Sequence, residues 1–181
     1  MAAPDKPAKK RLFFAVYPDA TTRQTLAEAA QPLISEGKPS PAGNLHITLA
    51  FIGMADTAYQ DCLTEQALQI KTPTPFDTQI DRIGLFRKAR ILWLGPSQPP
   101  SELVELHDNL VTAIQSCGYK AETRPWFPHI TVARKYRGNA QGRLKNPIAL
   151  RADAFSLMES VSSVGGVRYV ELRKFPLLKG G

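Results

Sequence analysis

Asn44-Leu45-His46-Ile47-Thr48-Leu49-Ala50-Phe51-Ile52 and Phe127-Pro128-His129-Ile130-Thr131-Val132-Ala133-Arg134 carry one frame: a histidine, an isoleucine, a threonine and an apolar residue. Two of the chain's three histidines stand in it. Both stretches are β-branched or apolar with Gly or Pro close by, which is the composition of a strand. Successive side chains on a strand point to opposite faces. His46 and Thr48 therefore share one face, with Ile47 and Leu49 turned toward a core. His129 and Thr131 do the same, backed by Ile130 and Val132. Each strand offers an imidazole beside a hydroxyl.

Outward from these strands, the chain alternates without a strict strand–helix–strand rhythm. Arg11 to Tyr17 reads as a buried strand, and Asp19 caps a helix from Ala20 to about Ser35. A second helix runs from Thr57 to Ile70. Strands follow at Phe76 to Phe86 and Arg90 to Leu94, joined by the basic turn Arg87 to Arg90. Ser101 is a good N-cap for a third helix that stops at Gly118. Lys135 to Pro147 reads as a polar surface loop, and strands at Ala149 to Glu159 and Val167 to Phe175 close the chain.

In each half, a helix and then a loop lead into a His-Ile-Thr strand. The expected fold is therefore α+β, with two pseudo-symmetric lobes, each of antiparallel strands and helices, around a central cleft carrying the two strands. Residues 1–10 are expected to form a mobile basic tail, and residues 11–181 a single bilobal domain.

The bulk composition, 43% hydrophobic and 22% charged, is that of a soluble globular protein and excludes a disordered chain. No apolar run approaches the ~20 residues of a membrane helix, and no signal peptide is legible at the start. Cys62 and Cys117 are too few and too far apart in sequence for a disulfide framework or a zinc knuckle, so a reducing cytoplasm is the default expectation. A net charge of +7 favours polyanionic partners.

Paired imidazoles point to phosphodiester chemistry. Cleavage needs one base and one acid, and imidazole serves as either near neutral pH. Thr48 and Thr131 would hold the non-bridging oxygens, and Arg134 could add a charge-assisted contact. A single histidine in an apolar strand is usually structural, but no packing requirement explains the same pair twice. No carboxylate accompanies either histidine, so metal chemistry is not expected. His107, on the third helix, is expected to be structural or at the surface. Phe14, Trp126 and Phe127 are candidates for stacking on a base.

With these residues in view, the chain resembles a known family. The two His-x-Thr-x motifs, Arg11 to Val16, Leu92-Trp93-Leu94-Gly95, and Glu159-Ser160 with Arg168-Tyr169 are similar to the bacterial and archaeal RNA 2′,3′-cyclic phosphodiesterases. These are also called 2′-5′ RNA ligases and belong to the two-histidine phosphoesterase superfamily. The resemblance implies hydrolysis of an RNA 2′,3′-cyclic phosphate to a 2′-phosphomonoester without metal or cofactor, reversible in principle as 2′-5′ ligation. It implies His46 as proton donor and His129 as proton acceptor, an order that residue types alone do not set. The implied partner is an RNA bearing a 2′,3′-cyclic phosphate end, acted on by a monomer with no membrane association. Two other readings share the motifs. One is a phosphodiesterase for a small cyclic phosphate or a 2′-5′ oligonucleotide; the other is an RNA-binding module without turnover.

Overall fold

The apolar run after Arg11 forms β1 (Lys10–Val16), whose Leu12, Phe14 and Val16 point into the main core while Phe13 and Ala15 form the opposite face. The structure, a computed structural model, describes residues 8–178. Most of the expected N-terminal tail falls at residues 1–7, outside the described residues. Lys10, assigned to that tail from sequence, already belongs to β1 and reaches Glu159 at 3.6 Å.

Two antiparallel sheets organise the molecule. The first runs β3 (Ile47–Ala55), β1, β8 (Ala154–Ser163), β9 (Gly166–Pro176). The second runs β2 (Lys38–Pro39), β6 (Ile130–Arg134), β5 (Ile91–Gly95), β4 (Phe76–Phe86), β7 (Gly142–Ala152). Each sheet thus receives one His-Ile-Thr strand, as the repeat in the sequence led one to expect. The lobes do not have separate interiors. A single apolar cluster runs from Leu12 and Phe14 through Leu92, Ile130 and Val132 to the stripe Leu103, Leu106, Leu110 and Ile114.

Three helices cover the sheets. α1 (Ala20–Ala30) is capped by Asp19, whose carboxylate accepts from the Thr22 amide at 2.8 Å. It ends earlier than expected because Pro32, with no amide hydrogen, tightens the chain into a 3-10 turn over Gln31–Leu33. α2 (Thr57–Gln69) is capped by Asp56. α3 (Ser101–Ile114) takes Pro100 as its N-cap, so Ser101 does not cap it; the Ser101 hydroxyl bonds to Glu102 instead.

Three further expectations need correction. The strand expected from Ala149 to Glu159 is two strands, broken at Asp153: β7 pairs with β4 in one sheet and β8 with β1 in the other. The loop expected to run to Pro147 ends at Gly142, because β7 continues along β4 past a register shift with mostly exposed residues that leave no hydrophobic alternation. Finally, Cys62 and Cys117 are joined by a disulfide. Packing of α2 beside the end of α3 brings Cα atoms separated by 55 residues to 5.9 Å, a closeness that sequence spacing does not encode.

Candidate active site

The two motif strands share more than their sequence. On β3, Thr48 lies opposite Ala15 but Ala50 lies opposite Phe14, so two steps on β3 match one on β1. On β6, Thr131 lies opposite Trp93 and Ala133 opposite Leu92, again with one extra residue. Both strands therefore carry a β-bulge directly after the threonine. A bulge reverses the facing of everything beyond it. Leu49 and Ala50 are both buried, as are Val132 and Ala133. Phe51 and Arg134, which strict alternation would place on the far face, return to the face of the histidine and threonine and are exposed.

Each histidine is held in the same tautomer. His46 Nδ1 donates to the carbonyl of Asn44 at 2.7 Å, and His129 Nδ1 donates to the carbonyl of Phe127 at 2.8 Å. A carbonyl can only accept, so Nδ1 carries the proton in both neutral rings and Nε2 is the nitrogen left for chemistry. His46 Nε2 lies 2.9 Å from Thr48 Oγ1. Aromatic walls fix the ring planes. Phe13 and Tyr169 stand 4.8 and 5.1 Å from the His46 ring, and Phe86 and Trp93 stand 5.0 and 6.3 Å from that of His129. Trp93 reaches this position by lying across Gly84, where a Cβ would meet its ring at 1.9 Å.

Both rings are biased toward the neutral form. Burial lowers the His46 pKa to about 4, with the His129 and Arg134 charges adding to the effect and the Asn44 carbonyl opposing it. Burial also lowers that of His129; Arg134 adds to this and the Phe127 carbonyl opposes it. The influence of His129 on His46, and that of Arg134 on both, means that the three charges converge on one place. An anion placed there would reverse the bias.

The structure distributes the other sequence candidates unevenly. Phe14 is 0% exposed and packs on Phe155 and Phe175, so it is closed to any base; its neighbour Phe13 occupies the site face, because the strand's alternation runs the other way. Trp126 lies flat on His107, centroids 4.1 Å apart, and donates its indole N–H to the Thr48 carbonyl at 3.1 Å. That ring face is taken by the protein, and His107 acquires the structural part expected of it. Phe127 stays half-buried beside Trp93 and His129, with the Arg82 guanidinium 5.8 Å from its ring. The site also contains Asn44, which sequence reading did not single out. Its side chain donates to the Val167 carbonyl at 2.7 Å and accepts from the Tyr169 amide at 3.1 Å, bonding to β9 as a neighbouring backbone would. Among the described residues, no group of three or more His, Cys, Asp or Glu is arranged to hold a metal ion, and no helix is long and apolar enough to cross a membrane.

Comparison with known proteins agrees with this fold. The model of the 2′-5′ RNA ligase superfamily matches residues 18–163. The chain belongs to that superfamily. One superfamily relative, the RNA 2′,3′-cyclic phosphodiesterase of Escherichia coli K12, is 31% identical over 175 residues, covering 93% of this chain and 97% of the relative. The RNA 2′,3′-cyclic phosphodiesterase of Bacillus subtilis is 30% identical, covering 81% and 84%. The crystal structure of E. coli LigT complexed with 3′-AMP superposes with a TM-score of 0.88 at 29% identity, over 95% of this chain and all of that one.

Proposed function

We propose that this protein hydrolyses the 2′,3′-cyclic phosphate at the end of an RNA to a 2′-phosphomonoester, using two histidines as acid and base. The observation that carries this reading is the repeated Nδ1-anchored histidine with a threonine two residues on, His129 being near enough for its charge to bear on the protonation of His46. The names of the E. coli and B. subtilis relatives support the substrate.

The step balances with these residues alone. His129 Nε2 takes a proton from water as the water oxygen bonds to phosphorus. The bond from phosphorus to the 3′ oxygen breaks, and that oxygen takes the proton from His46 Nε2. Thr48, Thr131 and Arg134 hold the non-bridging oxygens as charge builds on them. The step ends with His129 charged and His46 neutral, so one proton must return through solvent before the next turnover. His46 is neutral in the empty cleft at pH 7, and the incoming phosphate supplies the negative charge that lets it hold its proton. The reverse step would join a 2′-phosphate to a hydroxyl through the same atoms.

The test is an RNA ending in a 2′,3′-cyclic phosphate incubated with the protein in EDTA, with the product identified by its susceptibility to nucleotidases of known position. A 2′-monophosphate is expected. A 3′-monophosphate, or activity only with added metal, would overturn the mechanism.

A further inference from the structure

Gly37 has φ +138°, and a Cβ there would come within 3.1 Å of both the Arg134 carbonyl and Tyr136 Cα. Glycine is what lets the short strand β2 close against β6. That closure sets Lys38 directly opposite Arg134 in an antiparallel pair. Residues so opposed project from the same face, with Cβ atoms about 5 Å apart. The bulge after Thr131 has already turned Arg134 to the side of His129, so Lys38 stands on that side too. Its ammonium extends to the β8–β9 turn of the other sheet, where a Cβ on Gly166 would lie 3.3 Å from Nζ.

Two like charges directly opposite each other destabilise a sheet. Among the described residues, neither Lys38 nor Arg134 forms an ion pair with a carboxylate. An anion lying along the pair would turn that cost into an attraction. The two cations also differ in reach: Arg134 lowers the pKa of both histidines, whereas the Lys38 ammonium extends to the β8–β9 turn at Gly166. Lys38 is therefore one step outside the reacting phosphate, at the rim where the two sheets meet.

We propose that Lys38, beside Arg134, binds the phosphodiester on the 5′ side of the terminal nucleotide, so that the enzyme takes the end of an RNA chain in preference to a free nucleoside 2′,3′-cyclic phosphate. This deepens, and rests on, the reading of the site as a cyclic phosphodiesterase. It assigns chain recognition to a residue outside both motifs.

The test compares kcat/KM for a nucleoside 2′,3′-cyclic phosphate, the same compound with a 5′-phosphate, and a dinucleotide with a cyclic end, across a salt series. The native protein is expected to favour the two substrates with a second phosphate by about tenfold, the effect of one charge-assisted contact. Lys38→Gln should bring that ratio toward one and reduce the slope of log kcat/KM against log salt by about 0.7. Lys38→Arg should keep the ratio, as should Lys120→Gln, which removes an equal charge elsewhere on the surface. A native ratio near one overturns the proposal, as does a Lys38→Gln ratio equal to the native one. If Lys38→Gln fails to fold, the native ratio and its salt dependence decide. Turnover of none of the three compounds would refute the cyclic-phosphodiesterase reading and this inference with it; turnover without preference refutes only the inference.

Discussion

The indole N–H of Trp126 donates to the carbonyl of Thr48 over 3.1 Å, fastening the approach to β6 in one sheet onto β3 in the other. β3 is an outer strand, so this carbonyl would otherwise face solvent on the unpaired side. Trp126→Phe keeps the stack on His107 but removes the bond. Urea unfolding should show a loss of about 1 kcal/mol. The fall in kcat should be larger, up to about a hundredfold, because the two threonines are held in mutual register by this contact. An unchanged kcat alongside lowered stability would show that the bond serves folding alone.

His46→Asn and His129→Asn should each lower kcat by about a hundred- to ten-thousandfold, with a smaller change in KM, since each removes a proton-transfer group and leaves the phosphate contacts. Steady-state kinetics on a short RNA with a cyclic end measure both quantities. Near-native kcat in either variant would remove that histidine from the reaction.

Stability should depend on acid in a set direction. An unfolded His46 ring protonates near its ordinary value of 6.5, the folded ring only near 4. Between those values the unfolded chain binds a proton that the folded chain does not. The contribution is thus intact above pH 6.5 and falls by roughly 3 kcal/mol on reaching pH 4. The lowered pKa of His129 acts in the same sense. Denaturation curves at intervals over this range should show the loss, and His46→Gln should make it shallower.

Gly84→Ala would drive a methyl into the Trp93 ring. The indole must move, and with it the wall beside His129. Activity should fall at least tenfold, while thermal unfolding shifts by the few degrees expected of a local overpacking defect. A second change, Trp93→Phe on the Gly84→Ala background, should recover part of the loss by freeing space.

The Cys62–Cys117 disulfide closes a loop of 55 residues. Loop entropy puts its contribution at about 4 kcal/mol in the oxidised protein. Unfolding midpoints with and without dithiothreitol measure this directly, and Cys62→Ser should match the reduced form. In a reducing compartment the contribution is absent, and the fold rests on its apolar core.

The motif strands and the helices were legible in the sequence because apolar periodicity and short caps act locally. What escaped it was set by tertiary position. Phe13 and Phe14 are chemically equal neighbours, and only the sheet around β1 decides which one meets the cleft. Asn44 gives no local signal, since its bonds to Val167 and Tyr169 span more than a hundred residues. The charge of Arg134 is plain in the sequence, but its orientation depends on a bulge that no composition signals. The first half of β7 is illegible for another reason: its residues are mostly exposed, and its side-chain link to β4, from Arg143 to Asp81 at 3.0 Å, leaves no alternation to read.

The doubled bulge has one more implication. With a histidine and a threonine on each side, the two motifs offer a ligand the same two residue types, and type alone does not distinguish left from right. The first residue past each bulge does: Phe51 on one strand, Arg134 on the other, both brought to the cleft by one extra step of backbone. The polarity of the site is therefore counted rather than spelled. Deleting Val132 would alter no polar residue, yet it would swing the Arg134 cation out of the cleft and leave the enzyme without a sense of direction.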